Sequence, residues 1–295
     1  MEYLFHIGIL VGIYVILAVS LDLLAGHAGI LSLAHAAFYG IGAYTSALVA
    51  VRLGAPFWVG LLVGMGAAAA ISIMVSLPSL RLHDDYFVIA TFGFQVILLS
   101  VLNNWMDLTR GPLGIPGIPR PVLLGWEVRT QLEFLILTAA AAIISYLIVG
   151  RIAGSPFGRV LRAIREDEVF PGSLGKNTIG FKVLAFSVSA ALAAVAGSLY
   201  AHYVTYIDPT SFTVMESILV ISMVILGGAG SPWGPVVGAV VLVTLPELLR
   251  FVGLPSSVAA NVRQILYGGL LVAFMMWRPQ GLLGKYSFKK GSGRG

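Results

Sequence analysis

The chain has 295 residues, of which 58% are hydrophobic and only 11% are charged, whereas a soluble globular domain carries roughly 25% charged residues. Apolar runs of about 20 residues recur along the whole chain, which predicts an all-α, polytopic membrane protein. The net charge of +5 comes from a few basic residues in loops, which indicates membrane orientation and argues against nucleic-acid binding. Because the chain has no cysteine, it can form neither a disulfide nor a thiolate site.

We predict about nine transmembrane helices, with about eight to ten as the range, in a single transmembrane domain that covers residues 1–295. Two glycine-rich segments, 25–29 and 227–234, could re-enter the membrane, which would raise the count to about ten. A basic tail follows over residues 278–295. The predicted spans cover about 4–24, 30–51, 57–77, 86–104, 134–149, 181–203, 214–226, 236–249 and 259–277.

Two long polar segments separate these spans. The loop at about 105–133 is rich in glycine and proline, so it cannot form a continuous helix, and we predict that it lies outside. The loop at about 151–182 carries many basic residues, and we predict that it is cytoplasmic. With this loop and the tail inside, twelve Lys and Arg residues lie inside and six outside, as the positive-inside rule requires.

The most hydrophilic stretch of the chain is SPFGRVLRAIREDEVFPGSLGKNTIGFK, within the second of these loops. Ser155–Pro156 is typical of a helix N-cap followed by proline at the first helical position. Phe157, Leu161 and Ile164 recur at helical spacing with charges on the opposite face, and Pro171–Gly172 should end the helix. The pattern predicts either a solvated loop or a docking helix whose apolar face enters a groove of a soluble partner.

Polar side chains are concentrated in the second and fourth predicted spans, where each of them needs a partner or water. One interpretation is that they line a transport pathway in a cavity. The other is that the histidine is hydrogen-bonded within the helix bundle and that the tyrosines are packing residues. The candidate pathway residues are Ser32, His35, Tyr39, Tyr44, Thr91 and Gln95.

Several kinds of chemistry are not supported by the sequence. There is no Gly-x4-Gly-Lys-Ser/Thr phosphate loop, so we expect no ATP hydrolysis by that route. The histidines lack metal-ligand spacing, and we predict no metal site. No nucleophile motif and no cluster of acidic residues and histidines is visible, which disfavours a membrane enzyme.

Five motifs in register resemble the permeases of branched-chain amino acid ATP-binding-cassette (ABC) importers, the LivH/LivM family, and the second and third motifs favour the LivM type. Asp84 stands where the second motif usually has glycine. The motifs are GHAGILSLAHAAFYGIGAY (26–44), RLHDDYFVIATFGF (81–94), LNNWMDLTRGPLGIPGIP (102–119), FGRVLRAIREDEVFPGSLGKNTIGFKVLAF (157–186) and LGGAGSPWGPVVGA (226–239).

The resemblance implies a permease subunit for branched-chain or related neutral amino acids in a bacterial or archaeal plasma (inner) membrane, with no enzymatic activity of its own. It implies a heterodimer with a second permease of LivH type, two cytoplasmic ATPases that carry ATP and magnesium, and a periplasmic or surface substrate-binding protein. The chain itself would need no cofactor and would contact membrane lipid. The residues expected to couple it to the ATPases are Phe157, Gly158, Arg159, Leu161, Arg162, Ile164, Arg165, Glu166, Asp167, Glu168 and Gly175.

Three alternatives stay open at this point. A urea or short-chain amide permease of the same family would have a similar sequence. A stand-alone ion-coupled transporter would place an intramembrane acid in a broken helix of each half, and only Glu216 approaches that pattern. An integral membrane enzyme is the third alternative, and the missing catalytic cluster disfavours it.

Overall fold

The computed structural model describes residues 2–80, 84–123, 126–250, 268–269 and 281–283. The predicted last span at about 259–277, most of the predicted tail and the loop at 81–83 lie outside these residues.

The described chain is built almost entirely of helices joined by short connections. Two small antiparallel strand pairs, 115–116 with 206–207 and 122–123 with 126–127, lie in the connections. The helices are α1 (Glu2–Asp22), continued by a π-helical turn (Leu23–Ala28), α2 (His35–Leu53), α3 (Phe57–Ser79), α4 (Asp84–Asn104), α5 (Met106–Thr109), α6 (Gln131–Gly154), α7 (Pro156–Glu166), α8 (Val169–Ser173), α9 (Thr178–Val204), α10 (Val214–Gly227) and α11 (Gly234–Arg250). The strands are β1 (Ile115–Pro116), β2 (Val122–Leu123), β3 (Trp126–Glu127) and β4 (Tyr206–Ile207).

Six of the described helices are long and apolar enough to cross a membrane: α1 with its π-helical turn, α2, α3, α4, α6 and α9. The apolar helices α10 and α11 are shorter. The prediction of an all-α polytopic membrane protein is confirmed, and the count of about nine spans stays approximate.

Helices α1, α2 and α9 form the centre of the bundle, and small residues allow them to approach closely. A Cβ atom at Gly42 of α2 would overlap the backbone of Ala194 in α9, and one at Gly197 would overlap the carbonyl oxygen of Tyr39. Glycine is therefore required on both sides of this contact. Close backbone packing of this kind stabilises helix pairs in lipid, where burial of apolar side chains supplies little driving force.

The connecting segments gather at two opposite ends of the bundle. At one end, α7 packs on the π-helical turn, the Gly230 N–H bonds to Asp22, and the Leu282 N–H bonds to the Leu226 carbonyl. At the other end, β1 pairs with β4. This alternation agrees with the predicted order of inside and outside loops; which end faces the cytoplasm stays a prediction.

The glycine-rich segment 25–29 is mostly a continuation of α1, and whether it or the segment 227–234 re-enters the membrane stays a prediction. Residues 23–28 continue α1 as a π-helical turn, which ends at Gly29 with φ +72°. The second predicted span also begins later than expected, at His35, because residues 29–34 form a non-helical connection. The segment after α10 is a turn in which Gly228 and Gly230 have positive φ.

The orientation can be tested by single-cysteine labelling, because the chain has no native cysteine. Leu113 and Lys176 are exposed at opposite ends of the bundle. A membrane-impermeant maleimide should label Leu113→Cys in intact cells and should label Lys176→Cys only after the membrane is opened. The reverse pattern would invert the predicted topology.

Candidate functional site

The amphipathic helix α7 begins as the sequence predicts. Ser155 is its N-cap, with the side-chain oxygen accepting a hydrogen bond from the Gly158 N–H at 3.3 Å, and Pro156 is its first residue. Its end differs from the prediction: α7 stops at Glu166, and Pro171 and Gly172 lie within the separate short helix α8. Pro171 is the third residue of α8, in the first turn, where its missing N–H breaks no helical bond.

The apolar face of α7 packs inside this chain, which contradicts the expectation that it enters a partner's groove. Leu161 is 0% exposed and Ile164 is 4% exposed, and the Phe157 ring stacks on Phe181 of α9 with ring centroids 5.1 Å apart. The helix rests on α6, α9 and the π-helical turn. Helical periodicity showed correctly which face is buried, but it could not show that the permease itself covers that face.

Arg165 joins α7 to the end of the first span. Its Nη1 donates a hydrogen bond to the Gly26 carbonyl in the π-helical turn, and its aliphatic part lies where a Cβ on Gly29 would have to fit. The Gly230 N–H in turn donates to Asp22 Oδ1 at 2.8 Å. Three segments that are distant in sequence therefore meet within one hydrogen-bonded cluster.

The sequence analysis missed Asp22 and Gly230 as members of this cluster. The available signal for Asp22 was a carboxylate at the end of an otherwise apolar span, four residues before Gly26, which suggests a polar partner nearby. Nothing in the local sequence identifies Gly230 as that partner, because the two residues are 208 positions apart.

Beyond α7 the loop forms an exposed tip. Val169, Phe170 and Leu174 are 75%, 61% and 66% exposed, which is high for large apolar side chains outside the spans. An acidic stretch, 166–168, precedes them and is exposed as well. The tip is therefore an apolar patch with negative charge at its edge.

The remaining predicted coupling residues support the shape of this loop. Gly158 is buried where a Cβ would overlap the Ala153 carbonyl oxygen, and Arg162 donates to the same oxygen at 2.7 Å. Glu168 forms an ion pair with Lys182 at 2.6 Å. Four others remain. Arg159 is exposed, and Glu166 forms an ion pair with Arg165 at 3.3 Å. The Asp167 side chain accepts from the Val169 N–H at 2.8 Å, and Gly175 turns the chain with φ +75°.

The six candidate pathway residues are all buried, and three of them meet at Phe212, a residue that the sequence analysis did not single out. Gln95 Nε2 donates to the Phe212 carbonyl at 2.7 Å. The rings of Tyr39 and Tyr44 lie 5.1 Å and 5.8 Å from the Phe212 ring, centroid to centroid. Among the described residues, neither Gln95 Oε1 nor the Tyr44 hydroxyl has a hydrogen-bond partner.

The other three pathway candidates bond to neighbouring backbone and side chains. Thr91 Oγ1 accepts from the Leu33 N–H at 3.2 Å, and Ser32 accepts from the Ala34 N–H at 3.2 Å. His35 Nε2 lies 2.8 Å from the Ser20 hydroxyl oxygen. None of the six lines the cavity of about 520 Å³ beside Asp22 and α6.

Two further expectations concern ionisable groups. Glu216, which lies at the start of α10, accepts a hydrogen bond from the Tyr14 hydroxyl and so joins α10 to α1. Within the part of the chain that the structure describes, no group of three His, Asp or Glu side chains could hold a metal ion.

Known proteins are similar to this chain in sequence over most of its length. The family described as "branched-chain amino acid transport system / permease component" matches residues 3–275. The chain belongs to this family. It is a multi-pass membrane permease subunit of an ABC importer, as the resemblance implied.

Individual relatives support the LivM type. The chain is 38% identical to the high-affinity branched-chain amino acid transport system permease protein LivM of Escherichia coli, over 94% of this chain and 69% of that protein. It is 26% identical to the probable LivM of Methanocaldococcus jannaschii, over 92% and 90% of the two chains. The LivH permease of Escherichia coli is 26% identical, over 94% and 93%. No solved structure matches the chain.

The bonding of His35 predicts a structural role. Replacing His35 with leucine removes one of the two hydrogen bonds of the buried Ser20 hydroxyl, which keeps its bond to the Leu17 carbonyl, and the loss is about 0.5–1.5 kcal/mol. We expect the thermal midpoint of the purified chain, its abundance in the membrane and uptake to fall together. His35→Gln, which keeps polar atoms near Ser20, should lose less. A normal thermal midpoint with reduced uptake per molecule would instead support a pathway role.

Proposed function

We propose that this chain moves branched-chain or related neutral amino acids across the membrane and that ATP is hydrolysed on partner chains. The relatives named as branched-chain amino acid permeases support this substrate class. The sequence contains no phosphate loop, so ATP and magnesium would bind to the ATPases, and the chain would have no catalytic role of its own.

The proposed assembly pairs this chain with a LivH-type permease. The relatives of this chain include both LivM and LivH permeases, which supports two different permease chains around one pathway. Two ATPases would bind on the side of α7 and α8, and a substrate-binding protein would deliver the amino acid on the opposite side.

The observation that carries the docking proposal is the exposed tip of the loop. An ATPase groove would cover Val169, Phe170 and Leu174, because no other described segment covers these apolar side chains. The acidic stretch 166–168 would set the orientation of the complex by facing basic residues of the ATPase. Helix α7 would then act as the support behind the tip and would not itself be the docking surface.

We place the candidate substrate contacts at Phe212. The Gln95 Oε1 atom and the Tyr44 hydroxyl are buried without a partner among the described residues, and such an atom costs about 1–3 kcal/mol unless something binds it. An amino acid carries charged ammonium and carboxylate groups that would bond to both atoms once the pathway opens. Thr91, Ser32 and His35 would hold the surrounding backbone in place.

The substrate class can be tested in cells that lack their own leucine uptake system. Co-expressed with its ATPases, second permease and binding protein, the chain should restore uptake of labelled leucine that unlabelled isoleucine and valine reduce. Uptake of labelled urea without uptake of labelled leucine would favour the amide branch of the family. Uptake of leucine without any ATPase would contradict the ABC mechanism.

The docking surface can be tested by single substitutions at the tip. Burial of one large apolar side chain contributes roughly 1.5–3 kcal/mol, so Phe170→Asp or Leu174→Asp should weaken co-purification of the ATPase by about 10-fold or more. Both variants should insert and keep the thermal midpoint of the native chain, because both side chains are exposed.

Two controls complete this experiment. Leu113→Asp places the same charge on an exposed leucine at the opposite end of the bundle and should leave ATPase binding unchanged. Leu161→Asp places it in a fully buried position and should lower membrane abundance. Normal ATPase binding by both tip variants would show that the docking surface lies elsewhere.

A further inference from the structure

A crevice with a volume of about 520 Å³ opens between α6, the end of α1, α7 and the 230–235 segment. It is distinct from the proposed substrate contacts at Phe212 and from the tip of the loop. Its walls combine aliphatic side chains with two arginines, Arg151 from the last turn of α6 and Arg162 from α7.

The crevice extends from the contact between α1 and α6, where Val149 is buried, to the outward face of α6. At Gly150 and Gly154 an added Cβ would meet only open space, and the neighbouring Leu147 is 57% exposed. These three residues share one helical face. Helix α6 packs on the bundle mainly through α1, and no other helix among the described residues covers this outward face. On a membrane-spanning helix such a face borders lipid, so the crevice would be accessible from the membrane.

The mouth of the crevice is basic. Arg151 is exposed. Arg162 donates one hydrogen bond, from Nη1 to the Ala153 carbonyl, whereas a guanidinium offers five N–H donors. The carboxylate in the lining, Asp22, is only 3% exposed, and it is bonded to the Gly230 N–H. A negatively charged group that enters from the membrane therefore meets the arginines first.

An aromatic pair places the crevice at the depth of the lipid head groups. Tyr146 in its wall packs against Trp233 beside Pro232, with ring centroids 5.3 Å apart. Tyrosine and tryptophan are enriched where the hydrocarbon core meets water. The apolar part of the crevice thus faces acyl chains, and the arginines lie near the phosphates.

We propose that this crevice binds an anionic phospholipid, with the phosphate between Arg151 and Arg162 and an acyl chain along the outer face of α6. Basic pockets between helices at the cytoplasmic surface are suited to such head groups. Because Arg162 belongs to α7, the bound lipid would join α6 to the loop helix. The site is independent of which solute the permease carries.

Native mass spectrometry of the purified full-length chain can test the site with phosphatidylglycerol and phosphatidylcholine of identical acyl chains. The native chain should retain phosphatidylglycerol preferentially. Arg151→Gln should weaken its binding about fivefold, as expected for the loss of one arginine near the head groups, and should leave phosphatidylcholine binding unchanged. Gly150→Leu, which fills the crevice without changing charge, should reduce phosphatidylglycerol binding as well.

Arg159→Gln is the matched control, since Arg159 is an exposed arginine of α7 that does not line the crevice. It should bind phosphatidylglycerol like the native chain. Equal loss in Arg159→Gln and Arg151→Gln would show general surface attraction and overturn the proposal. Displacement of the lipid by excess inorganic phosphate would assign the site to a soluble anion. Thermal midpoints confirm that each variant is folded.

Discussion

The hydrogen bond from Arg165 to the Gly26 carbonyl is the contact on which the arrangement of this end of the molecule depends. A regular α-helix ends with carbonyl groups that have no partner in the helix, and the π-helical end of the first span offers one of them to the guanidinium. Gly26 and Gly29 are required there, because a side chain on Gly26 would collide with Asp22 and one on Gly29 would collide with Arg165. The loop helix is thereby attached to a transmembrane helix by a charged donor.

The polar residues of the spans follow a second constraint, the need to satisfy every polar group away from water. The hydroxyl of Thr91 receives the Leu33 N–H from the non-helical connection before α2. Gln95 likewise binds the Phe212 carbonyl just before α10. The side chains of α4 thus form hydrogen bonds with backbone groups that lie outside the α-helices. The density of polar residues that indicated a pathway in the sequence is explained in large part by this task.

The features that the sequence predicted correctly are those that depend on residues close together in the chain. Apolar runs located the spans, and Ser155–Pro156 located the start of α7 correctly, because capping involves residues only a few positions apart. It did not predict contacts between distant segments, such as Asp22 with Gly230 or Gln95 with Phe212. The largest error, the partner assigned to the apolar face of α7, has the same origin, since periodicity reports that a face is buried and not what buries it.

The division of the loop into a buried helix and an exposed tip has a mechanical consequence. Leu161 and Ile164 each contribute about 1.5–3 kcal/mol by burial, and a hydrogen bond from a charged donor such as Arg165 adds about 1.5–3 kcal/mol. The anchor of α7 therefore amounts to about 4.5–9 kcal/mol, which is equal to the contribution of about 4.5–9 kcal/mol from Val169, Phe170 and Leu174 if a partner buries all three. The attachment of α7 to the permease is thus as strong as the contacts that a partner would make with the tip. Under the proposed docking, a movement of the tip would reach the end of α1 through Arg165 and the turn between α10 and α11 through Asp22.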